Sequence, residues 1–176
     1  DANGQVNEVT QYVADKLVDL AIDKNEDGRP EVHATFSADG TKEFEEQDTS
    51  GSGQYDLRIF FKDGVRVRTE TDSSGNGVFD RVSFFEDDQL AREEIDTDDD
   101  NRKETFFFFE DGKRVRQERD WDGDGQAELV VFYDEAELRV REEVDGNADG
   151  KVDTVRSYEN DILAGLSRDM DGVGEA

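Results

Sequence analysis

Six short stretches of the chain place oxygen-bearing side chains at one fixed spacing. They are DKNEDGRPE from Asp23, DTSGSGQYD from Asp48, DSSGNGVFD from Asp72, DTDDDNRKE from Asp96, DWDGDGQAE from Asp120 and DGNADGKVD from Asp145. Counted from the first Asp, carboxylate, amide or hydroxyl oxygens stand at positions 1, 3 and 5, an acid stands at 9, and Gly fills position 6 in every loop but one. Alternate residues of a tightly curved loop point inward, so four side chains can converge on one point while Gly permits the sharp bend. With the main-chain carbonyl of position 7 they form a shell of hard oxygens. Six or more such oxygens at about 2.3–2.6 Å suit Ca²⁺, whereas Mg²⁺ keeps several of its waters. No His or Cys lies in these loops, which argues against softer metals.

The loops differ in strength. Asp120, Asp122, Asp124 and Glu128 supply four carboxylates, with Gln126 at the carbonyl position. Asp145, Asn147, Asp149, Lys151 and Asp153 form a complete set, as do Asp23, Asn25, Asp27, Arg29 and Glu31. Asp96, Asp98, Asp100, Arg102 and Glu104 carry the charge, but Asn101 replaces Gly, and Asn tolerates the left-handed backbone region. Asp72, Ser74, Asn76 and Asp80 make a weaker site, and Asp48, Ser50, Ser52 and Asp56 make the poorest, whose filling the sequence leaves open. The expectation is four to six Ca²⁺ ions.

The elements that must hold these loops follow from their period. Successive loops begin 25, 24, 24, 24 and 25 residues apart. A partial loop, DMDGVGEA, starts at Asp169, and DANGQVN at residues 1–7 fits the same frame. The chain therefore reads as one repeat domain over residues 1–176, with partial repeats at both ends, and is expected to come from a longer array or to have been trimmed. Five residues past each loop stands an aromatic: Tyr12, Phe36, Phe61, Phe85, Phe109, Tyr133 and Tyr158. A turn such as Asp63-Gly64 or Asp111-Gly112 follows, and Asp-Gly supplies the positive φ of tight hairpins. A return strand then carries Arg68, Arg92, Arg116 and Arg141 four residues before a loop, and Glu46, Glu70, Glu94, Glu118 and Glu143 two before. Residues two apart share a strand face, so Arg and Glu ladders are expected to run side by side and pair across strands. No helical period persists. The predicted fold is all-β: about seven antiparallel β-hairpins in an elongated, twisted meander sheet, with the acidic loops along one edge and the Asp-Gly turns along the other.

The DxDxDGxxD loop resembles the calcium-binding β-hairpin loops of integrin α-chain propellers, and its first half resembles EF-hand, dockerin and thrombospondin type 3 loops. An EF-hand requires a bidentate Glu at position 12, where this chain has Ala34, Ile59, Ser83, Phe107, Val131 and Arg156. Thrombospondin-type arrays usually carry cysteines, which are absent here. The hairpin period, with its aromatic and Asp-Gly turn, resembles MORN-type and related bacterial hairpin repeats, which implies single-layer sheets. The combined pattern resembles repeat regions of exported bacterial surface proteins and lipoproteins.

Charge narrows the partners. With 48 Asp and Glu against 21 Lys and Arg the formal charge is −27, which repels nucleic-acid phosphates and anionic membrane surfaces. No apolar run approaches the ~20 residues of a membrane span, and no stretch of these residues reads as a signal peptide. A general adaptation to salt would spread the acids evenly. Instead the six nine-residue loops hold 20 acids in 54 residues, leaving 48 − 20 = 28 for the other 122. A chain only 33% hydrophobic would ordinarily stay disordered. At about 1 mM Ca²⁺ and a Kd of ~0.1 mM each filled loop contributes RT ln 11, about 1.4 kcal/mol. Cytosolic calcium cannot fill sites of that affinity, so the expected setting is exported: cell surface, periplasm or extracellular space.

A second aromatic column, Phe60, Phe84, Phe108 and Phe132, is flanked by Gln11, Thr35 and Ser157 in the outer repeats and faces away from the first. Such a stripe is covered by curling or stacking of the sheet, which is the first expectation, or it meets a protein partner or a second copy, which is the second. Enzymatic machinery is thin. His33 is the lone His and lies in a strand without a patterned Ser or Cys, and Trp121 sits at position 2 of a loop. The reading is a non-enzymatic, calcium-stiffened, exported scaffold, adhesion or protein-binding surface. The alternative is an accessory subunit docking through the Phe stripe onto a larger membrane or enzyme complex.

Overall fold

The computed structural model describes residues 7–168 and contains strands and turns but no helix among them. The partial loops at residues 1–7 and from Asp169 fall largely or wholly outside the described residues. The chain divides into two compact units, Asp1–Asp88 and Gln89–Ala176. The first holds β1 (Glu8–Val13), β2 (Lys16–Ile22), β3 (Val32–Phe36), β4 (Lys42–Gln47), β5 (Leu57–Lys62), β6 (Val65–Thr71) and β7 (Arg81–Glu86). The second holds β8 (Gln89–Ile95), β9 (Thr105–Glu110), β10 (Lys113–Arg119), β11 (Leu129–Tyr133), β12 (Arg139–Val144), β13 (Thr154–Glu159) and β14 (Ile162–Arg168). Within each unit the strands pair antiparallel in chain order, so each is an all-β meander of hairpins. The nine-residue acidic loops therefore fall at one end of the strands and the short turns at the other.

The short turns use left-handed backbone at both central residues, as in Asp63 (φ 53) with Gly64 (φ 77) and Asp111 (φ 51) with Gly112 (φ 75). That geometry matches the strand twist and belongs to type I′ hairpins. Two hairpins use wider turns, closed by Ser37 N–H to the Thr41 carbonyl (2.8 Å) and Asp134 N–H to the Leu138 carbonyl (2.9 Å). The hairpins also share a register shift between the two aromatic columns, as at Phe60/Phe61 and Phe132/Tyr133. Phe60 faces Arg68 while Phe61 faces Arg66, leaving Val67 as an extra residue on the return strand. Such a bulge raises the local twist.

Neither unit has a second layer. Each strand packs against its sequence neighbours and no other strand of its unit, and among the described residues only Ala34 and Val131 are buried hydrophobics. The faces are covered instead by cations lying on rings. On one face the cross-strand rows read Phe44, Phe60, Arg68, Phe84 in the first unit and Arg92, Phe108, Arg116, Phe132, Arg141 in the second. The guanidinium of Arg68 lies 4.1 Å from the Phe60 ring and that of Arg116 lies 4.0 Å from Phe108. On the other face Arg66 covers Phe85 at 3.8 Å and Arg114 covers Tyr133 at 4.1 Å. Each such contact contributes about 0.5–1 kcal/mol at an exposed site, so many of them together replace part of a missing core.

The Arg and Glu ladders pair differently from the expectation. Arg68 meets Glu70 at 2.5 Å, Arg92 meets Glu94 at 2.7 Å, Arg116 meets Glu118 at 3.2 Å and Arg141 meets Glu143 at 2.5 Å, all within one strand. The cross-strand neighbour of each of these Arg residues is a Phe, so the guanidinium lies over a ring and its charge turns along its own strand. His33 is held between Asp19 (3.0 Å) and Glu46 (3.3 Å), tying β2, β3 and β4 together. The Asp19 hydrogen bond is the main cause holding its pKa above the ordinary value, against the opposing effect of burial.

Candidate metal centres

Each acidic loop folds around its own first Asp. Asp23 accepts from the Asp27 N–H (3.2 Å) on one oxygen and the Gly28 N–H (2.8 Å) on the other. The same pair of bonds recurs from Asp100 and Asn101 to Asp96 (3.2 and 2.9 Å) and from Asp149 and Gly150 to Asp145 (3.3 and 2.7 Å). In the Asp120 loop the donors are Gly123 (2.6 Å) and Gly125 (2.9 Å). Position 5 then caps position 7: Asp27 accepts from the Arg29 N–H (2.8 Å), Asp100 from Arg102 (2.8 Å) and Asp124 from Gln126 (2.7 Å). These local bonds turn the backbone so that positions 1, 3 and 5 face a common interior. They also bury the ring's first member, with Asp96 4% exposed.

Position 9 closes the ring from the next strand. Its carboxylate accepts the position-2 N–H in every loop, as in Thr97 to Glu104 (3.0 Å), Trp121 to Glu128 (2.6 Å), Ser73 to Asp80 (2.8 Å) and Gly146 to Asp153 (2.8 Å). The loops are laced to one another as well. The Asp48 N–H donates to the Glu31 carbonyl (2.8 Å), Asp120 to Glu104 (2.9 Å) and Asp145 to Glu128 (2.9 Å).

Among the described residues, carboxylate oxygens of three or more residues gather within 4.8 Å of one another in three places. These are Asp96, Asp98, Asp100 and Glu104; Asp120, Asp122, Asp124 and Glu128; and Asp23, Asp27 and Glu31. Asn25 belongs to the last loop and turns its amide oxygen to the Asp27 N–H (2.9 Å). Asp145, Asp149 and Asp153 share a loop but do not form so tight a group. Asp72 and Asp80 are buried and bonded to their own loop's amides, with Ser74 and Asn76 between them. Asp48 and Asp56 are likewise saturated by amide and hydroxyl donors.

The three clusters fit a hard divalent cation. Glu104 is 7% exposed, yet its Oε1 is buried and accepts no hydrogen bond, and Glu31 Oε1 is in the same condition. A buried carboxylate oxygen without a partner is costly, and a cation among the gathered oxygens would satisfy it. Charge points the same way, since DWDGDGQAE holds four acids and no basic residue. In the Asp96 loop, the Arg102 backbone N–H and then its guanidinium hold Asp100 below the usual carboxylate range.

Two features lay outside the sequence reading. One is the position-9 cap on the position-2 amide. The other is the reach of position-7 side chains to the following loop, most plainly Arg102 Nη1 donating to the Asp122 carbonyl (3.0 Å). Gly123 leaves the room for it, because a Cβ there would stand 2.0 Å from Arg102 Nη1. The pairing of a long polar residue at 7 with Gly in the next loop is a signal that could have been read.

No protein-family model matches the chain, and no curated protein does. Among solved structures it is similar to accessory secretory protein 1, 2 and 3 of Streptococcus pneumoniae, at 14% identity, over 79% of this chain and 19% of that one, with a TM-score of 0.26. It is also similar to a mutant of S. aureus TarM in complex with Fondaparinux, alpha-GlcNAc-glycerol and UDP, at 13% identity, over 92% of this chain and 22% of that one, with a TM-score of 0.32. The chain spans about a fifth of the length of each.

Proposed function

We propose that this chain is a calcium-binding structural repeat protein that works outside the cytosol as a scaffold, adhesion or protein-binding surface and is stiffened by Ca²⁺ in its acidic loops. The observation that carries the reading is the gathering of carboxylates at three loops together with the buried, partnerless Glu104 Oε1. All donors are oxygens and the loops carry several formal negative charges, which favours Ca²⁺ over the smaller, more strongly hydrated Mg²⁺. With affinities of ~10⁻⁴ to 10⁻³ M, as in extracellular modules, the sites fill only where calcium is near millimolar. That supports an exported setting. Phe60 and Phe84 in the first unit, and Phe108 and Phe132 in the second, are the residues through which a protein partner or a second copy would bind, and the partner would meet guanidinium-covered rings, as at Phe60 and Phe108, rather than bare hydrocarbon.

The test is a calorimetric titration of chelator-stripped protein with CaCl₂, and separately with MgCl₂. The reading expects saturable calcium binding at several sites and at least about tenfold weaker magnesium binding. Absence of calcium binding, or equal magnesium affinity, contradicts it.

A further inference from the structure

Two loops of the chain make a matched pair. In the Asp23 loop and the Asp145 loop, positions 1, 3, 5 and 6 are the same residues: Asp23, Asn25, Asp27, Gly28 and Asp145, Asn147, Asp149, Gly150. Their hydrogen bonds agree as well. Position 5 donates to positions 1 and 3 at 3.2 and 2.9 Å in one loop and at 3.3 and 3.0 Å in the other. Position 6 donates to position 1 at 2.8 and 2.7 Å. The Asn amide reaches the position-5 carboxylate at 3.2 and 3.4 Å. Yet the carboxylates of Asp23, Asp27 and Glu31 gather within 4.8 Å, and those of Asp145, Asp149 and Asp153 do not form such a group.

The ligand position that separates them is the ninth, Glu31 in one and Asp153 in the other. Both residues spend an oxygen on the position-2 amide, Glu31 on Lys24 and Asp153 on Gly146 (2.8 Å). Glu has one more methylene. It can cap that amide with one oxygen and still bring a carboxylate oxygen to the gathered group, and in Glu31 and Glu104 the Oε1 is buried and accepts no hydrogen bond. Asp lies back against the amides. Asp56 gives one oxygen to Thr49 and the other to the Ser50 N–H (2.9 Å), and Asp80 takes the Ser73 (2.8 Å) and Ser74 (3.1 Å) N–H groups on a single oxygen, its Oδ2. The three gathered clusters are the three loops that close with Glu, and the Asp145 loop is the Asp-closed loop that has three acids and does not gather them.

We propose that Glu at position 9 is the residue that sets cation affinity in this array. The loops of Glu31, Glu104 and Glu128 form a tight class of three sites, and the Asp-closed loops form a weak class. The inference rests on the cation reading above and goes beyond it by ranking the sites, placing the Asp145 loop in the weak class despite its complete set of oxygens.

The experiment titrates Ca²⁺ alone into the chelator-stripped chain, its Asp153→Glu variant and its Glu31→Asp variant, with strand content at saturation checked by circular dichroism. The expected tight class is three sites in the wild type, four in Asp153→Glu and two in Glu31→Asp, with the weak class bound at least about tenfold less tightly, a spacing within the range over which such loops are tuned by ligand charge and rigidity. An unchanged tight class in Asp153→Glu, with that variant folded and binding calcium, overturns the ranking while leaving calcium binding intact. Six equivalent sites in the wild type overturn it as well. A chain that binds no calcium overturns the cation reading and the ranking together. Because Glu31→Asp keeps the charge and the amide cap, a loss of one tight site there reports reach rather than unfolding.

Discussion

Within each unit the chain reverses direction in two ways, and the two ends of the strands solve the problem with different chemistry. At the hairpin end, two residues with left-handed backbone suffice in most turns, and some of the acids there meet cations of the chain itself: Arg66 pairs with Asp88 at 2.8 Å and Arg139 with Asp161 at 2.6 Å. At the loop end, nine residues curl around a buried Asp, and the acids meet mainly the loop's own amide N–H groups. Amides turn a loop, but they do not neutralise four carboxylates. The cations of this chain are placed largely on rings and along strands, as Arg68 and Arg116 are. Within the loops Arg102 meets Asp100 at 2.9 Å and Lys103 stands 3.9 Å from Asp96, and the proposed cation is what would supply the rest of the positive charge there.

The contrast breaks most visibly at position 1 of a loop. Asp120→Ala removes the acceptor for the Gly123 and Gly125 amides. It is expected to cost about 2–4 kcal/mol in denaturant melts with calcium present, since two amides lose their partner and a site loses a ligand. The equivalent truncation at the hairpin end, Asp111→Ala at φ 51, is expected to cost well under the ~1–2 kcal/mol of full left-handed strain, because Asp already carries a Cβ there and Ala loses only the local polar bonding that eases it. Equal costs would erase the distinction.

A smaller effect separates the faces from the loops by pH. Burial pushes the Glu142 carboxyl up, but the Tyr158 hydroxyl (2.7 Å), Arg156 (3.2 Å) and Arg139 (3.0 Å) outweigh it and hold it below its ordinary value. A depressed carboxylate contributes stability above its unfolded value and loses it as pH falls through the folded one. Glu142→Gln is therefore expected to be less stable than wild type by about 1 kcal/mol at neutral pH, after allowance for solvent screening, with the gap closing as pH falls below the ordinary Glu range. A gap that persists at pH 3 would show that the side chain's shape, not its charge, matters there.

The smallest change acts only on the hairpin end. Asp15 holds φ 63 at the second residue of the β1–β2 turn, where Gly is free of the Cβ clash. Asp15→Gly is expected to raise stability by about 0.5–1 kcal/mol, equally with and without calcium. A gain that appears only with calcium would couple the two ends.

Much of this was legible because the repeat forces each position to recur. The acid spacing located every loop, and the recurring aromatic with its Asp-Gly turn located the hairpins, so the all-β meander and the ligand candidates followed. The bulge at Phe60/Phe61 was not legible, because an extra residue on the return strand leaves the loop period unchanged. Pairing of Arg68 with Glu70 was not legible either, since alternation places both on one face without saying which way a guanidinium turns once a Phe lies beside it. The difference between Glu31 and Asp153 was passed over because the two are chemically alike. It takes the geometry of the two matched loops to show that the carboxylates gather where position 9 is Glu31 and not where it is Asp153.

The central claim is that the loop end needs calcium, and thermal melting of the whole chain tests it most directly, in EDTA and in 1–2 mM CaCl₂, a range set by the expected affinities. Three filled loops at about 1.4 kcal/mol each give roughly 4 kcal/mol, which for a chain of this size predicts a rise in Tm of roughly 8–16 °C. No rise would contradict the account and leave the acidic loops as solvated turns.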